Sequence, residues 1–161
     1  MEEIVFDLET DGLIEEVTTI WCATFYNVNK DLTISFYPEG KPDIEHLSLF
    51  LEDRKDKYLW ICHNLMKYDR EVIHKLLDIW LPKENCHDTL IWSQMLYPDI
   101  EIPKGSKGKH GLDAWGKRYG VPKPKHEDWS RYSPEMLIRN QEDVKINTKL
   151  WLDIRKKVNV V

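Results

Sequence analysis

Over the first third of the chain, β-branched and aromatic residues gather in short runs. These are Ile4 to Leu8, Thr18 to Tyr26 and Leu32 to Tyr37, separated by Asp11-Gly12 and by Asn27-Val28-Asn29-Lys30. Such runs between turn-forming residues predict three strands. Connections this short favour antiparallel neighbours. Helical spacing takes over after Pro42-Asp43, from Ile44 to Leu51. Tyr58 to Cys62 is apolar throughout and predicts a fourth, central strand. From Tyr68 to Leu81 the positions Val72, Ile73, Leu76, Leu77 and Trp80 form one apolar stripe before Pro82, which predicts a helix.

Downstream, Thr89 to Leu96 reads as a helix capped by Asp88, and Gly105 to Lys109 as a flexible basic loop. Leu112 to Tyr119 predicts a short helix between glycines. Ser133-Pro134-Glu135 carries a helix start, with a hydroxyl at the N-cap and proline in the first turn, and that helix is expected to run to about Lys157. Trp21, Trp60, Trp80, Trp92 and Trp151 fall on these stripes and are expected in the core. Three antiparallel strands followed by mixed elements predict an α/β fold, a mixed central sheet flanked by helices. The 161 residues suffice for one full core, so 1–161 is expected to be a single domain.

Composition narrows the class. Hydrophobic residues at 42% and charged residues at 32% are ordinary for a globular protein. The sequence has no stretch fit to span a bilayer and no signal pattern, so no membrane role is expected. Cys22, Cys62 and Cys86 are an odd number without metal-type spacing, which predicts buried free thiols in a reducing compartment, the cytoplasm (the host cytosol for a viral chain). A net charge of -5 argues against indiscriminate coating of nucleic acid. Yet Lys104, Lys107, Lys109, Lys117, Arg118, Lys123 and Lys125 face only Asp113 over one segment. That segment is either a track for a phosphate backbone or a solvated loop.

Four carboxylates carry the chemistry. Asp7 and Glu9 are two apart on a predicted strand, so both project from the same face. Adjacent anions repel, and a pair of hard divalent cations is the simplest group to hold them. Asp69 falls where the apolar strand hands over to a helix, a position that also suits simple N-terminal capping. Asp143 shares a helix face with Met136, Ile146 and Leu150, where an anion is costly unless paired or metal-bound. The set points to a metal-dependent phosphodiesterase.

The runs Phe6-Asp7-Leu8-Glu9-Thr10, His63-Asn64-Leu65-Met66-Lys67-Tyr68-Asp69 and Asn140-Gln141-Glu142-Asp143-Val144 resemble the three motifs of the DEDD superfamily of 3′–5′ exonucleases. The likeness is greatest to the proofreading domain of phage-type family A DNA polymerases. It extends through Leu81 to Leu90, His110 to Gly116 and Trp129. It implies an RNase H-like fold in which Asp7, Glu9, Asp69 and Asp143 hold two Mg²⁺ or Mn²⁺ ions, one activating water and one stabilising the departing 3′-oxygen. Thr10 and Leu13 match positions that contact the terminal nucleotide, and Asn64 one near the scissile strand. His110 and Lys109 are candidates for phosphate contact.

The chain departs from the family at one place. The family's tyrosine, four residues before the last aspartate, is Arg139 here, and its histidine, five before, is Ile138. Arginine stays protonated and cannot serve as a general base. One turn from Asp143, Arg139 is expected either to clamp the scissile phosphate or to brace Asp143, with solvent exposure as the bland alternative. His126 and Tyr132 are conceivable stand-ins for the base. The expected activity is a free-standing 3′–5′ exonuclease on single-stranded or frayed DNA 3′ ends, with a separate DNA polymerase as the candidate partner. An exoribonuclease and a catalytically impaired end-binding module are the alternatives.

Overall fold

The computed structural model describes residues 1–121 and 124–159. Lys123 of the basic segment lies outside the described residues. Five strands form one sheet: β1 (Glu2–Thr10), β2 (Ile20–Asn27), β3 (Leu32–Phe36), β4 (Tyr58–Cys62) and β5 (Cys86–Asp88), in the order β3-β2-β1-β4-β5. The first three are antiparallel, as the short turns required, while β4 and β5 join parallel to β1. Among the described residues five α-helices accompany them: α1 (Leu47–Arg54), α2 (Asp69–Leu77), α3 (Thr89–Leu96), α4 (Leu112–Tyr119) and α5 (Pro134–Lys157). The mixed α/β sheet with flanking helices is the expected fold.

Alternation along β1 divides the core in two. Ile4, Phe6 and Leu8 pack on one face with Trp60, Val72, Ile73 and Leu51. Val5 and Ile61 face the opposite layer, where they meet Trp115, Val144, Ile146, Leu150 and Trp151. Covering both faces explains why β4 is apolar throughout. In that second layer α4 and α5 approach closely at Gly116, where a Cβ would stand 2.7 Å from the Val121 carbonyl oxygen and 2.9 Å from Ile146.

Three expectations need correction. The helix predicted over Tyr68 to Leu81 stops at Leu77, with Asp78 in the left-handed region at φ 56. The chain turns back there so that Ile79 and Leu81 enter the core. Trp80 is consequently 43% exposed, sandwiched between the His74 ring and the Arg70 guanidinium, and not a core residue. Trp21 is only half-buried, and β5 was not anticipated at all. Cys22 and Cys62 are buried and Cys86 half-buried, all as free thiols. No helix among the described residues is long and apolar enough to cross a membrane.

Candidate active site

The carboxylates converge at the C-terminal end of β1. The Asp7 and Glu9 side chains leave the strand on the face covered by α5, which brings Asp143 alongside. Carboxylate oxygens of Asp7, Glu9 and Asp143 lie within 4.8 Å of one another. Asp69 enters from the first turn of α2, and its carboxylate, Asp7 and the Cys62 thiol form a second group within the same limit. Asp7 is common to both groups. Glu9, Asp69 and Asp143 are buried, and Asp7 half-buried.

Burial sets the electrostatics. Desolvation raises the Asp69 carboxyl to about 7 from an ordinary 3.8, opposed by hydrogen bonds from Cys62 and from backbone. Burial, with the Asp69 and Asp7 anions close by, also pushes the Cys62 thiol well up. The thiol therefore stays protonated, and the donors the site offers are carboxylate oxygens. An all-oxygen set of this kind fits hard divalent cations such as Mg²⁺ or Mn²⁺.

Neighbouring residues fix these carboxylates. Asn140, fully buried on α5, donates through Nδ2 to the Asp7 carbonyl at 3.0 Å and to the Asp7 carboxylate at 2.9 Å. Asp88 caps α3 by accepting from the Leu90 amide, and the same carboxylate accepts from the Asn64 and Met66 amides, all at 3.0 Å. It thereby clasps the turn, with Asn64 at φ 65, that delivers Asp69. Tyr68 donates to the Gly12 carbonyl at 2.5 Å and is hydrogen-bonded to the Thr10 hydroxyl.

Beside the carboxylates lies a cleft of about 320 Å³ lined by Leu8, Glu9, Thr10, Asp11, Gly12, Leu13, Tyr68 and Trp129. It gathers Thr10 and the exposed Leu13 next to Glu9. Asn64 sits at the strand end, half-buried. Lys109 and His110 do not line this cleft: Lys109 donates to the Pro98 carbonyl at 3.1 Å, and His110 Nδ1 pairs with Ser93 Oγ at 2.7 Å. Burial, with Arg118 and Lys109 nearby, holds the His110 pKa below its ordinary value. In the basic segment Lys117 pairs with Asp113, and Arg118 donates to the Glu101 carbonyl. Local partners thus occupy several of its cations.

Arg139 is half-buried and not swung into solvent. Its Nη1 donates to the Pro124 carbonyl at 3.0 Å, and its guanidinium lies 5.2 Å from the Trp129 ring centroid. His126 also sits edge-on to Trp129 and donates through Nε2 to the Asp128 carbonyl. Tyr132 stacks on Tyr37. Asn140, Tyr68 and the second duty of Asp88 escaped the sequence reading. Asn140 left a signal, being three residues before Asp143 on the same buried face.

A family model described as the RNase H superfamily matches residues 4–101. The DNA-directed DNA polymerase of Escherichia phage T7 is 26% identical over 91% of this chain, which spans about a quarter of that relative's length. A solved structure of exonuclease X in complex with 5′ overhanging duplex DNA superposes with a TM-score of 0.54 at 18% identity, covering 99% of this chain and 94% of that one. Exonuclease I superposes with a TM-score of 0.64 at 12% identity, over 97% of this chain and 41% of its own. These superpositions agree with the RNase H-like fold that the motif resemblance implied.

Proposed function

Because the chain belongs to the RNase H superfamily, we propose that it is a metal-dependent 3′–5′ exonuclease that removes nucleoside monophosphates from DNA 3′ ends, with single strands preferred. The observation that carries this reading is the convergence of Asp7, Glu9, Asp69 and Asp143 from β1, α2 and α5 into two groups that share Asp7. Two Mg²⁺ or Mn²⁺ ions held by those carboxylates would supply a water of lowered pKa and neutralise charge on the leaving oxygen. Asn140 fixes Asp7 from behind, and Asp88 fixes the turn before Asp69. The adjoining cleft of about 320 Å³ has room for about one nucleotide, which supports a preference for unpaired 3′ ends. The phage relatives are themselves DNA-directed DNA polymerases, which supports a role beside a DNA polymerase.

The test is degradation of 5′-labelled single-stranded DNA and RNA in Mg²⁺, Mn²⁺ or EDTA. A metal-dependent ladder shortening from the 3′ end, stronger on DNA and abolished by Asp7→Ala, is expected. A stronger ladder on RNA makes the enzyme an exoribonuclease. Binding of ends without cleavage in any metal, unaffected by Asp7→Ala, leaves only an end-binding module.

A further inference from the structure

The segment from Pro124 to Tyr132 crosses the edge of the cleft without belonging to a helix or strand, so side chains must hold it. Four of them do. Arg139 reaches from α5 to the Pro124 carbonyl and lies against the Trp129 ring. Trp21 Nε1 donates to the Trp129 carbonyl at 2.9 Å. His126 packs on the Trp129 ring edge, and Tyr132 stacks on Tyr37. The outcome is that Trp129, alone of this segment, lines the cleft together with Leu13 and Tyr68. Leu13 is 71% exposed there, an apolar side chain presented to solvent beside aromatic rings. Tyr68 cannot turn away, because its hydroxyl is committed to Thr10 and Gly12.

We infer that Arg139 is a positioning residue: it fastens this strap to α5 and so sets the Trp129 ring as one wall of a slot for a single unpaired base. The identity of that base as the 3′-terminal one rests on the exonuclease reading. An aromatic ring lining a cleft takes any base by its π-face, and the slot is therefore tolerant of sequence. A guanidinium within about 6 Å of a ring centroid is attracted to the ring face, and the bond to the Pro124 carbonyl ties the same group to backbone. Arg139 thus acts on substrate through Trp129 and not on the reacting phosphate.

The test is a double-mutant cycle on Arg139→Ala and Trp129→Ala, with Arg139→Lys as a milder variant. Two readouts are used: KM and kcat on single-stranded DNA in Mn²⁺, and calorimetric binding of thymidine 5′-monophosphate in the same buffer. Each alanine variant should raise KM and the nucleotide Kd about tenfold, the scale of one lost base stack, with kcat changed by no more than about threefold. The double variant should be no worse than Trp129→Ala alone. Arg139→Lys should fall between, since its ammonium can keep the carbonyl bond but loses the planar ring contact. Additive effects, a collapse of kcat at unchanged KM in Arg139→Ala, or no nucleotide binding by the wild type overturn the inference. If the wild type binds the nucleotide yet degrades no DNA, the exonuclease reading fails, while the binding cycle still decides on Arg139.

Discussion

Asn140 spends both amide protons on Asp7, one on its carbonyl and one on its carboxylate. A neutral donor here orients the anion without competing for the lone pairs a cation needs. Removing such a supporting partner typically costs about 10- to 100-fold in metal affinity or activity. Asn140→Ala should therefore weaken Mn²⁺ binding by about that factor, measured by calorimetry. An unchanged affinity would show that Asp7 is held by its strand alone. A second residue-scale effect follows from Asp69, whose folded-state pKa of about 7 lies above its ordinary 3.8 because of burial. Folded protein then keeps a proton that unfolded protein has already released, so the stability that Asp69 contributes without metal is full below about pH 4 and is lost as pH rises toward 7. Thermal melts in EDTA across that window should show a falling midpoint that is flatter in Asp69→Asn and is suppressed by saturating Mn²⁺. A wild-type slope equal to that of Asp69→Asn would contradict it. The four carboxylates were legible in the sequence because paired anions on a strand and an anion on an apolar helix face are conspicuous. Asn140 was not, since a buried amide carries no charge to betray it, and the partner of Arg139 depended on a loop whose path no periodicity encodes.

At the scale of elements, the site depends on how β4 hands the chain to α2. The turn between them is held from outside by Asp88, which belongs to the end of β5 and also caps α3. Three backbone donors thus converge on one buried carboxylate. Hydrogen bonds to a charged group contribute about 1.5–3 kcal/mol each, with losses less than additive. Asp88→Ala should cost roughly 3 kcal/mol in urea denaturation, whereas Asp88→Asn, which retains one acceptor oxygen, should cost less than half as much. Equal losses would mean that the cap on α3 alone matters. The long elements were readable from periodicity: β1, β4 and α5 each fill a face of the core. Strand β5 was not, because three residues, Cys86-His87-Asp88, show no pattern, and their pairing with β4 is a tertiary event. The stripe over α2 misled through Trp80, which is covered by the His74 ring and the Arg70 guanidinium and not by the core.

For the molecule as a whole, charge decides how nucleic acid is met. A net charge of -5, with three buried carboxylates and the half-buried Asp7 clustered beside the cleft, gives a metal-free protein that repels a phosphate backbone. The basic segment offsets this only in part, since Lys117, Lys109 and Arg118 already have partners. Screening by salt weakens repulsion and attraction alike, with a Debye length of about 8 Å at 0.15 M. A divalent ion bound between the carboxylates differs, because it reverses the local sign at close range. Anisotropy of a 5′-labelled single-stranded oligonucleotide should therefore show at least about tenfold tighter binding in CaCl₂ than in KCl with EDTA at matched ionic strength, a difference of roughly 1.4 kcal/mol. Ca²⁺ suits this measurement because its looser coordination supports binding with little turnover. Asp143→Asn should lose most of the gain, as it removes a charge from the group shared with Asp7 and Glu9. Equal affinities in the two salts would place the nucleic acid away from the carboxylates, on the basic segment.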